Sequence, residues 1–419
     1  MWFLVALVIG GVLVLVVANL SSGEKRVEQE IQHLYSTGDP QFARSMGTLL
    51  GPPSLTGNRV TTLVNGEQIF PAMLNAIRGA TRTITFETFI YWSGSIGKEF
   101  AGALIDRARA GLKVHVLLDW VGTGKMDASV LRQMEQAGIQ VVKYHPLRWY
   151  NLGRLNNRTH RKLLVVDGTT GFTGGVGIAD YWLGHAQDPD HWRDSHFRLE
   201  GPAVAQMQAA FVDNWIEATG VVLHGNAYFP ELESVGTQRA QLFKSSANEA
   251  SESVRLMYLL SIASAEESVR IANAYFVPDA LAVDTLVAAR RRGVKVEIIV
   301  PGRHIDTAIV RRASRSRWEP LLEAGVSIYE YQPTMYHTKV MVVDNLWTSV
   351  GSTNFDNRSF RLNDEANLNV FDGDFAREQT RLFEADKAQS KQLTLEWWRS
   401  RPWGQRAIEW LAGLLRHQL

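Results

Sequence analysis

The sequence predicts an α/β protein of two pseudo-symmetric halves, each an α/β/α sandwich, sharing one active site behind an N-terminal transmembrane helix. Three observations predict this. One chemical pattern occurs twice: His160, Lys162, Asp167, Gly174 and Gly175, then His337, Lys339, Asp344, Gly351 and Ser352, both of the form H-x-K-x4-D-x6-G-[GS]. Helical and strand-like stretches alternate in the same order ahead of each copy. Residues 2–20 carry no charge and are rich in Val and Leu, long enough to span a bilayer.

In chain order, residues 1–21 are expected as an uncleaved anchor, because no Lys or Arg precedes the apolar run as a signal peptide would require. Lys25 and Arg26 just after it favour a cytoplasmic catalytic domain. Residues 22–57 read as a linker, broken by Pro40, Pro52 and Pro53. The first half spans 58–222, with a helix over 70–80, a strand over 83–91, a helix over 96–110 and a strand over 112–119. Residues 223–250 read as a crossover. The second half spans 251–388 and repeats the order, with a helix over 253–265, a strand over 269–276, a helix over 280–292 and a strand over 294–300. Residues 389–419 form an amphipathic tail, with Trp403, Ala407, Trp410, Leu411 and Leu414 on one helix face and Arg399, Arg401, Arg406 and Arg416 around it. That face suits a membrane interface or docking on the body equally well.

Composition narrows the classes. The 419 residues are 45% hydrophobic and 21% charged, which fits a globular chain with a large core. Basic and acidic residues balance to a net charge of +1, so no global basic field argues for nucleic acid. With no cysteine, disulfides and thiolate metal sites are excluded.

Each motif lies on an apolar run ending in a turn signal, Asp167-Gly168 or Asp344-Asn345, so each reads as a strand entering a hairpin. Side chains two apart on a strand share a face, so His160 projects with Lys162 and His337 with Lys339. Two imidazoles and two ammoniums meeting in one pocket suit a phosphodiester: one His attacks phosphorus, the other protonates the leaving oxygen, and the lysines hold the non-bridging oxygens. The fixed cations make a metal or cofactor unnecessary. Asp167 and Asp344 are expected to brace the turns. A carboxylate behind a histidine ring fixes its tautomer; Asp194 is expected behind His160, and Glu365 behind His337.

These residues, with Gly351 to Asn354, Arg358 and Arg361, resemble the phospholipase D superfamily and, within it, the bacterial cardiolipin synthases. The resemblance covers residues 58–419 and rests on both HKD motifs. It implies a phosphohistidine intermediate, with His160 as nucleophile and His337 as general acid. It also implies a phospholipid substrate, phosphatidylglycerol, at the bacterial inner membrane. Asn354, Gly175 and Ser352 are expected to bind substrate. One departure from the family is Gly177, which stands where Asn354 stands in the second half. Transfer to a second lipid would give cardiolipin and glycerol, and transfer to water phosphatidic acid. The same chemistry also serves nucleases, against which the neutral charge and the anchor argue, and an inactive scaffold would lack a motif residue.

Several other features invite a role. Trp92, Tyr336 and Phe355 are candidate aromatic walls of the pocket, Tyr336 adjoining His337 and Phe355 adjoining Asn354. Glu87 is placed either in the cleft or in a structural pair. The cluster of Arg311, Arg312, Arg315 and Arg317 beside Trp318 is either a solvated helix face or a receiver of lipid headgroups. His185, Asp188, Asp190 and His191 read as an active-site loop rather than a metal site. Gly122, Gly124 and Lys125 hint at a phosphate cradle without the spacing of a P-loop.

Overall fold

The computed structural model describes residues 27–146, 157–246 and 252–414, with Leu7, Gly10, Gly11 and Val14 ahead of them. The anchor expected at 1–21 lies, those four positions apart, outside the described residues. Among the described residues no helix is long and apolar enough to cross a membrane.

The first half contains β1 (Leu55–Val64), α1 (Asn65–Gly79), β2 (Thr83–Thr88), α2 (Ser95–Arg109), β3 (Lys113–Asp119), α3 (Ala128–Gln136), β4 (Gln140–Tyr144), the short β5 (Arg158–Thr159), β6 (Leu163–Val166), β7 (Thr170–Gly174), β8 (Ser195–Glu200) and α4 (Val204–Thr219). The second contains β9 (Gln238–Ser245), α5 (Ser253–Ala263), β10 (Ser268–Asn273), α6 (Ala280–Arg291), β11 (Lys295–Pro301), α7 (Ala308–Arg315), α8 (Glu319–Glu323), β12 (Ser327–Tyr331), β13 (Lys339–Val343), β14 (Trp347–Gly351), α9 (Asn357–Arg361), β15 (Asn363–Phe371) and α10 (Gly373–Ala388). β16 (Ser390–Leu393), α11 (Leu395–Arg399) and α12 (Trp403–Gly413) follow.

The described strands form one sheet whose order is a near palindrome. From β1 outward it runs β8, β7, β6, β2, β3, β4; from β9 outward it runs β15, β14, β13, β10, β11, β12, β16. β1 and β9 pair antiparallel at the centre, so the pseudo-dyad passes between them. In each half three strands run parallel, β2–β3–β4 and β10–β11–β12, joined through helices as parallel pairing requires. β2 is buried along its whole length, as fits a strand covered on both faces. The motif hairpins β6–β7 and β13–β14 then join antiparallel. Their turns hold two successive residues at positive φ, Asp167 and Gly168 in one and Asp344 and Asn345 in the other, the primed geometry that matches strand twist.

The halves share a core. Val204, Met207 and Phe211 of α4 and Phe375 and Phe383 of α10 belong to one buried cluster with strands of both halves, and Phe197 meets Phe375 edge-on at 6.0 Å. Separate clusters lie under α1–α2 and under α5–α6.

Three stretches differ from expectation. Residues 238–245, inside the expected crossover, form the central strand β9. Within the expected linker, Phe42 and Met46 are buried in the second-half core and Thr37 Oγ1 donates to Asp344 at 2.7 Å, so this segment is packed structure. At the start of the expected tail, β16 pairs with β12 and extends the sheet.

Candidate active site

The two motif aspartates hold the frame. Asp167 accepts from the backbone N–H of Thr81, Arg82 and Thr83 and from Thr81 Oγ1, all at 2.7–2.9 Å. Burial opposes its charge, but these bonds hold its carboxyl below the ordinary value. Asp344 repeats the device with the N–H groups of Glu266, Glu267 and Ser268 at 2.8–3.0 Å. Each aspartate thus ties its hairpin turn to the start of the neighbouring strand and fixes the strand carrying the His and Lys.

The carboxylates behind the imidazoles are crossed between halves. His160 Nδ1 meets Glu365 Oε1 and Oε2 at 2.9 and 3.0 Å, while His337 Nδ1 meets Asp194 Oδ2 at 2.7 Å. The expected pairs, Asp194 with His160 and Glu365 with His337, are therefore exchanged. The backbone shows why. β5, just before His160, pairs with the start of β15, and His160 N donates to Asp364 O at 2.9 Å, which sets Glu365 beside the ring. Reciprocally, His337 N donates to Arg193 O at 2.8 Å and Arg193 N to Met335 O at 2.9 Å, which delivers Asp194.

Each carboxylate is steadied in turn. Trp182 Nε1 and Ser195 N donate to Asp194 at 2.9 and 2.8 Å. Ser352 Oγ donates to Glu365 Oε2 at 2.6 Å. Gly175 is packed so closely that a Cβ there would lie 2.2 Å from Asp194 Oδ1. Gly175 and Ser352, expected at the substrate, thus stand behind the histidines: one makes room for a carboxylate and the other holds one.

The lysines are buried, which opposes their charge. Lys162 Nζ donates to His160 O at 2.9 Å and Lys339 Nζ to His337 O at 2.7 Å; Lys339 Nζ also lies 3.2 Å from both ring nitrogens of His337. Burial pushes Lys162 down to about 7, against the pull of Glu365 and helped by the charge of Lys339. Burial likewise pushes Lys339 down to about 8, with Asp194 and Glu365 pulling the other way. Burial takes His160 down to about 4 although Glu365 opposes it, so its ring is neutral at pH 7. Burial and Lys339 also lower His337, against Asp194. Burial raises Asp194 and Glu365, but the facing histidines and lysines outweigh it and hold both below their ordinary values. Lys162 and Lys339 each feel the carboxylates of both halves, Asp194 and Glu365, as convergence on one centre requires.

A cavity of about 370 Å³ opens beside His160, lined among others by Phe89, Arg158, Tyr275, Asn354, Asp356 and Arg358. Asn354 lines it, and its Oδ1 is buried without a hydrogen-bond partner among the described residues. At the matching position in the first half a side chain is excluded: a Cβ on Gly177 would lie 2.9 Å from Ile90 Cβ and 3.3 Å from Trp182. The spacing of the motifs does not point to Arg158 or Arg358; β5 and α9 place them in the lining, and the family resemblance carries Arg358 alone.

The expected aromatic walls lie elsewhere. Trp92 Nε1 donates to Gly122 O at 2.9 Å, Tyr336 OH donates to Asp386 at 2.9 Å, and Phe355 sits in the second-half core. The rings at the imidazoles are Phe89, 5.4 Å from His160, and Trp182 and Trp192, 5.4 and 5.5 Å from His337. Glu87 is a buried structural group, bonded by Thr159 and by Asn214 at 2.7 Å. The N–H of Gly122 is taken by Asp119 Oδ1 at 3.0 Å rather than offered to a phosphate. Asp188 accepts from His191 Nδ1 at 2.7 Å and Asp190 N at 2.9 Å, a local turn.

Two crossed His–carboxylate pairs, two buried lysines and a pseudo-dyad between half-domains define a phospholipase D-type enzyme. A family model described as "Cardiolipin synthase, PLD-like domain" matches residues 73–211 and 258–387. Cardiolipin synthase A of Pseudomonas fluorescens is 36% identical over 354 residues, covering 84% of this chain and 73% of that protein. A cardiolipin synthase of Geobacillus is 36% identical over 379 residues, covering 90% and 74%. The chain belongs to the cardiolipin synthase family and is a phosphatidyltransferase of that type. In fold it matches the phosphatidylserine synthase of Haemophilus influenzae, with a TM-score of 0.67 at 15% identity over 90% of this chain and all of that one.

Proposed function

We propose that the enzyme joins two phosphatidylglycerols into cardiolipin and glycerol through a phosphohistidine at His160. The observation that carries this is the crossed Nδ1 bonding. The Nδ1–H of a neutral His160 donates to Glu365, which leaves the Nε2 lone pair for phosphorus. His160 Nε2 forms a bond to phosphorus and the bond to the glycerol headgroup oxygen breaks. His337 Nε2 gives that oxygen its proton, and Asp194 supports the imidazolium beforehand. A phosphodiester anion beside His337 favours the protonated ring that burial alone disfavours. Lys162, Lys339 and Asn354 stabilise the charge on the non-bridging oxygens. His337 then accepts the proton of a glycerol hydroxyl from the second phosphatidylglycerol; that oxygen bonds phosphorus and the P–N bond breaks. The apolar run at 2–20 supports a single-pass anchor in the bacterial inner membrane, and Lys25 and Arg26 behind it support a site on the cytoplasmic side.

Mass spectrometry of products from purified protein and phosphatidylglycerol tests the reading. Cardiolipin and glycerol should appear in equal amounts, and added glycerol should run the reaction backward from cardiolipin. Phosphatidic acid as the main product at every lipid concentration would make the enzyme a hydrolase.

A further inference from the structure

We propose that the outer face of α12, with an arginine-lined cavity between α7 and α12, docks the enzyme on an anionic bilayer and turns the catalytic cavity toward it. α12 is held on the body by its inner face. Ala412 packs with Val310 and Ala313 of α7, and Gly413 sits so close that a Cβ would lie 2.6 Å from Ser316 Oγ. Glu409 is turned inward, bonded by Gln405 at 3.1 Å, by Arg315 at 3.4 Å and by Arg401. The outer face keeps its apolar groups in solvent: Trp403 is 84% and Trp410 64% exposed, with Ile408, Leu411 and Leu414 about half exposed. A docked helix with tryptophans on its free side is unpartnered apolar surface, and indoles are suited to the headgroup level of a bilayer.

The charge beside this face says what covers it. The cavity, about 430 Å³, is lined by Arg303, Arg311, Arg312 and Arg315, with Glu409 the only acid among its described lining residues. Glu330 pairs with Arg311 at 2.9 Å and Arg315 at 2.5 Å, which leaves the exposed Arg303 and Arg312 without a carboxylate partner among the described residues. Guanidinium groups in a concave, partly dry site suit a lipid phosphate. α7 is the wall between the two cavities: Thr307, just before it, and Val310 line the catalytic one, and Ala308, Arg311, Arg312 and Arg315 line this one. A headgroup held here stands about one helix diameter, ~10 Å, from the catalytic mouth. The tail thus docks on the body with one side of the helix and presents a membrane face with the other.

The chain has no cysteine, so Leu411→Cys gives a single thiol for an environment-sensitive fluorophore. The full chain, carrying His160→Ala so that no lipid is consumed, is reconstituted in phosphatidylcholine vesicles with or without phosphatidylglycerol. Binding is thus read without chemistry, and its failure is separate from failure of the transferase reading. Quenching by acyl-chain nitroxide lipids should rise when phosphatidylglycerol is present. The docked-to-free ratio should fall about fivefold for each of Arg303→Gln and Arg312→Gln, and Trp403→Ser with Trp410→Ser should abolish lipid quenching. A label equally open to aqueous iodide in both vesicles, a ratio indifferent to the arginines, or burial of the label by a second copy of the chain would overturn the proposal.

Discussion

The two half-sites share one backbone and differ in what stands around the imidazole. His160 is held by both oxygens of Glu365, flanked by a single phenyl ring, and borders the catalytic cavity. His337 is held by one oxygen of the shorter Asp194, packs against two indoles that also touch each other, and has Lys339 against its ring. The differences are linked. A glycine at 175 admits Asp194, where Ser352 bonds the longer Glu365. A glycine at 177 lets Trp182 close in to bond Asp194, where its counterpart Asn354 faces the cavity. One half presents a ring to substrate and the other encloses a ring whose proton is managed, as distinct nucleophile and acid–base roles require.

The comparison breaks first at the imidazoles. His160→Ala should remove turnover by about 10⁴-fold or more together with all covalent labelling by lipid phosphorus. His337→Ala should slow turnover by about 10²–10⁴-fold yet let an acid-labile adduct accumulate. Label surviving in His160→Ala would reverse the assignment. A smaller effect, about 10²–10³-fold in kcat, is expected for Asn354→Ala, which removes a donor that the first half does not duplicate; unchanged kcat would place the phosphate elsewhere in the cavity.

The pH profile sharpens the comparison further. Lys162 and Lys339 sit at about 7 and about 8 rather than near 10.5. Their protonated forms are the active ones, so kcat/KM should fall as pH rises through 7 to 8, about tenfold per unit once the first is lost. In kcat the fall should move to higher pH, because a bound phosphodiester anion favours both ammoniums. A basic limb at the same pH in both parameters would show that the lysines do not touch the phosphate.

Much of this was legible in the chain. The repeated motif gave the hairpins, the shared faces of His and Lys, and the turn-bracing aspartates, because strand alternation and turn chemistry are local. The exchange of Asp194 and Glu365 was not legible: their spacing from the motifs is the same whether the chain pairs within a half or across the dyad. The β5–β15 pairing and the bridge of Arg193 to Tyr336 decide it, and such short pairings leave no periodic trace. β9 was hidden for another reason. Its Gln238, Arg239, Gln241 and Lys244 read as linker, yet Gln241 is buried at the dyad and donates to Pro52 O. Trp182 and Trp192 were missed because they reach His337 from the opposite half.

The crossed pairing is tested most directly by rapid-quench labelling with phosphatidylglycerol carrying radioactive phosphorus, stopped in alkaline denaturant, on Glu365→Gln and Asp194→Asn proteins. Removing the carboxylate behind a catalytic histidine costs up to about 10⁴-fold. Glu365→Gln should lose the burst of phosphohistidine, whereas Asp194→Asn should form it more slowly, because His337 also protonates the departing glycerol, and then release it slowly to the acceptor. A burst lost in Asp194→Asn and kept in Glu365→Gln would contradict the account.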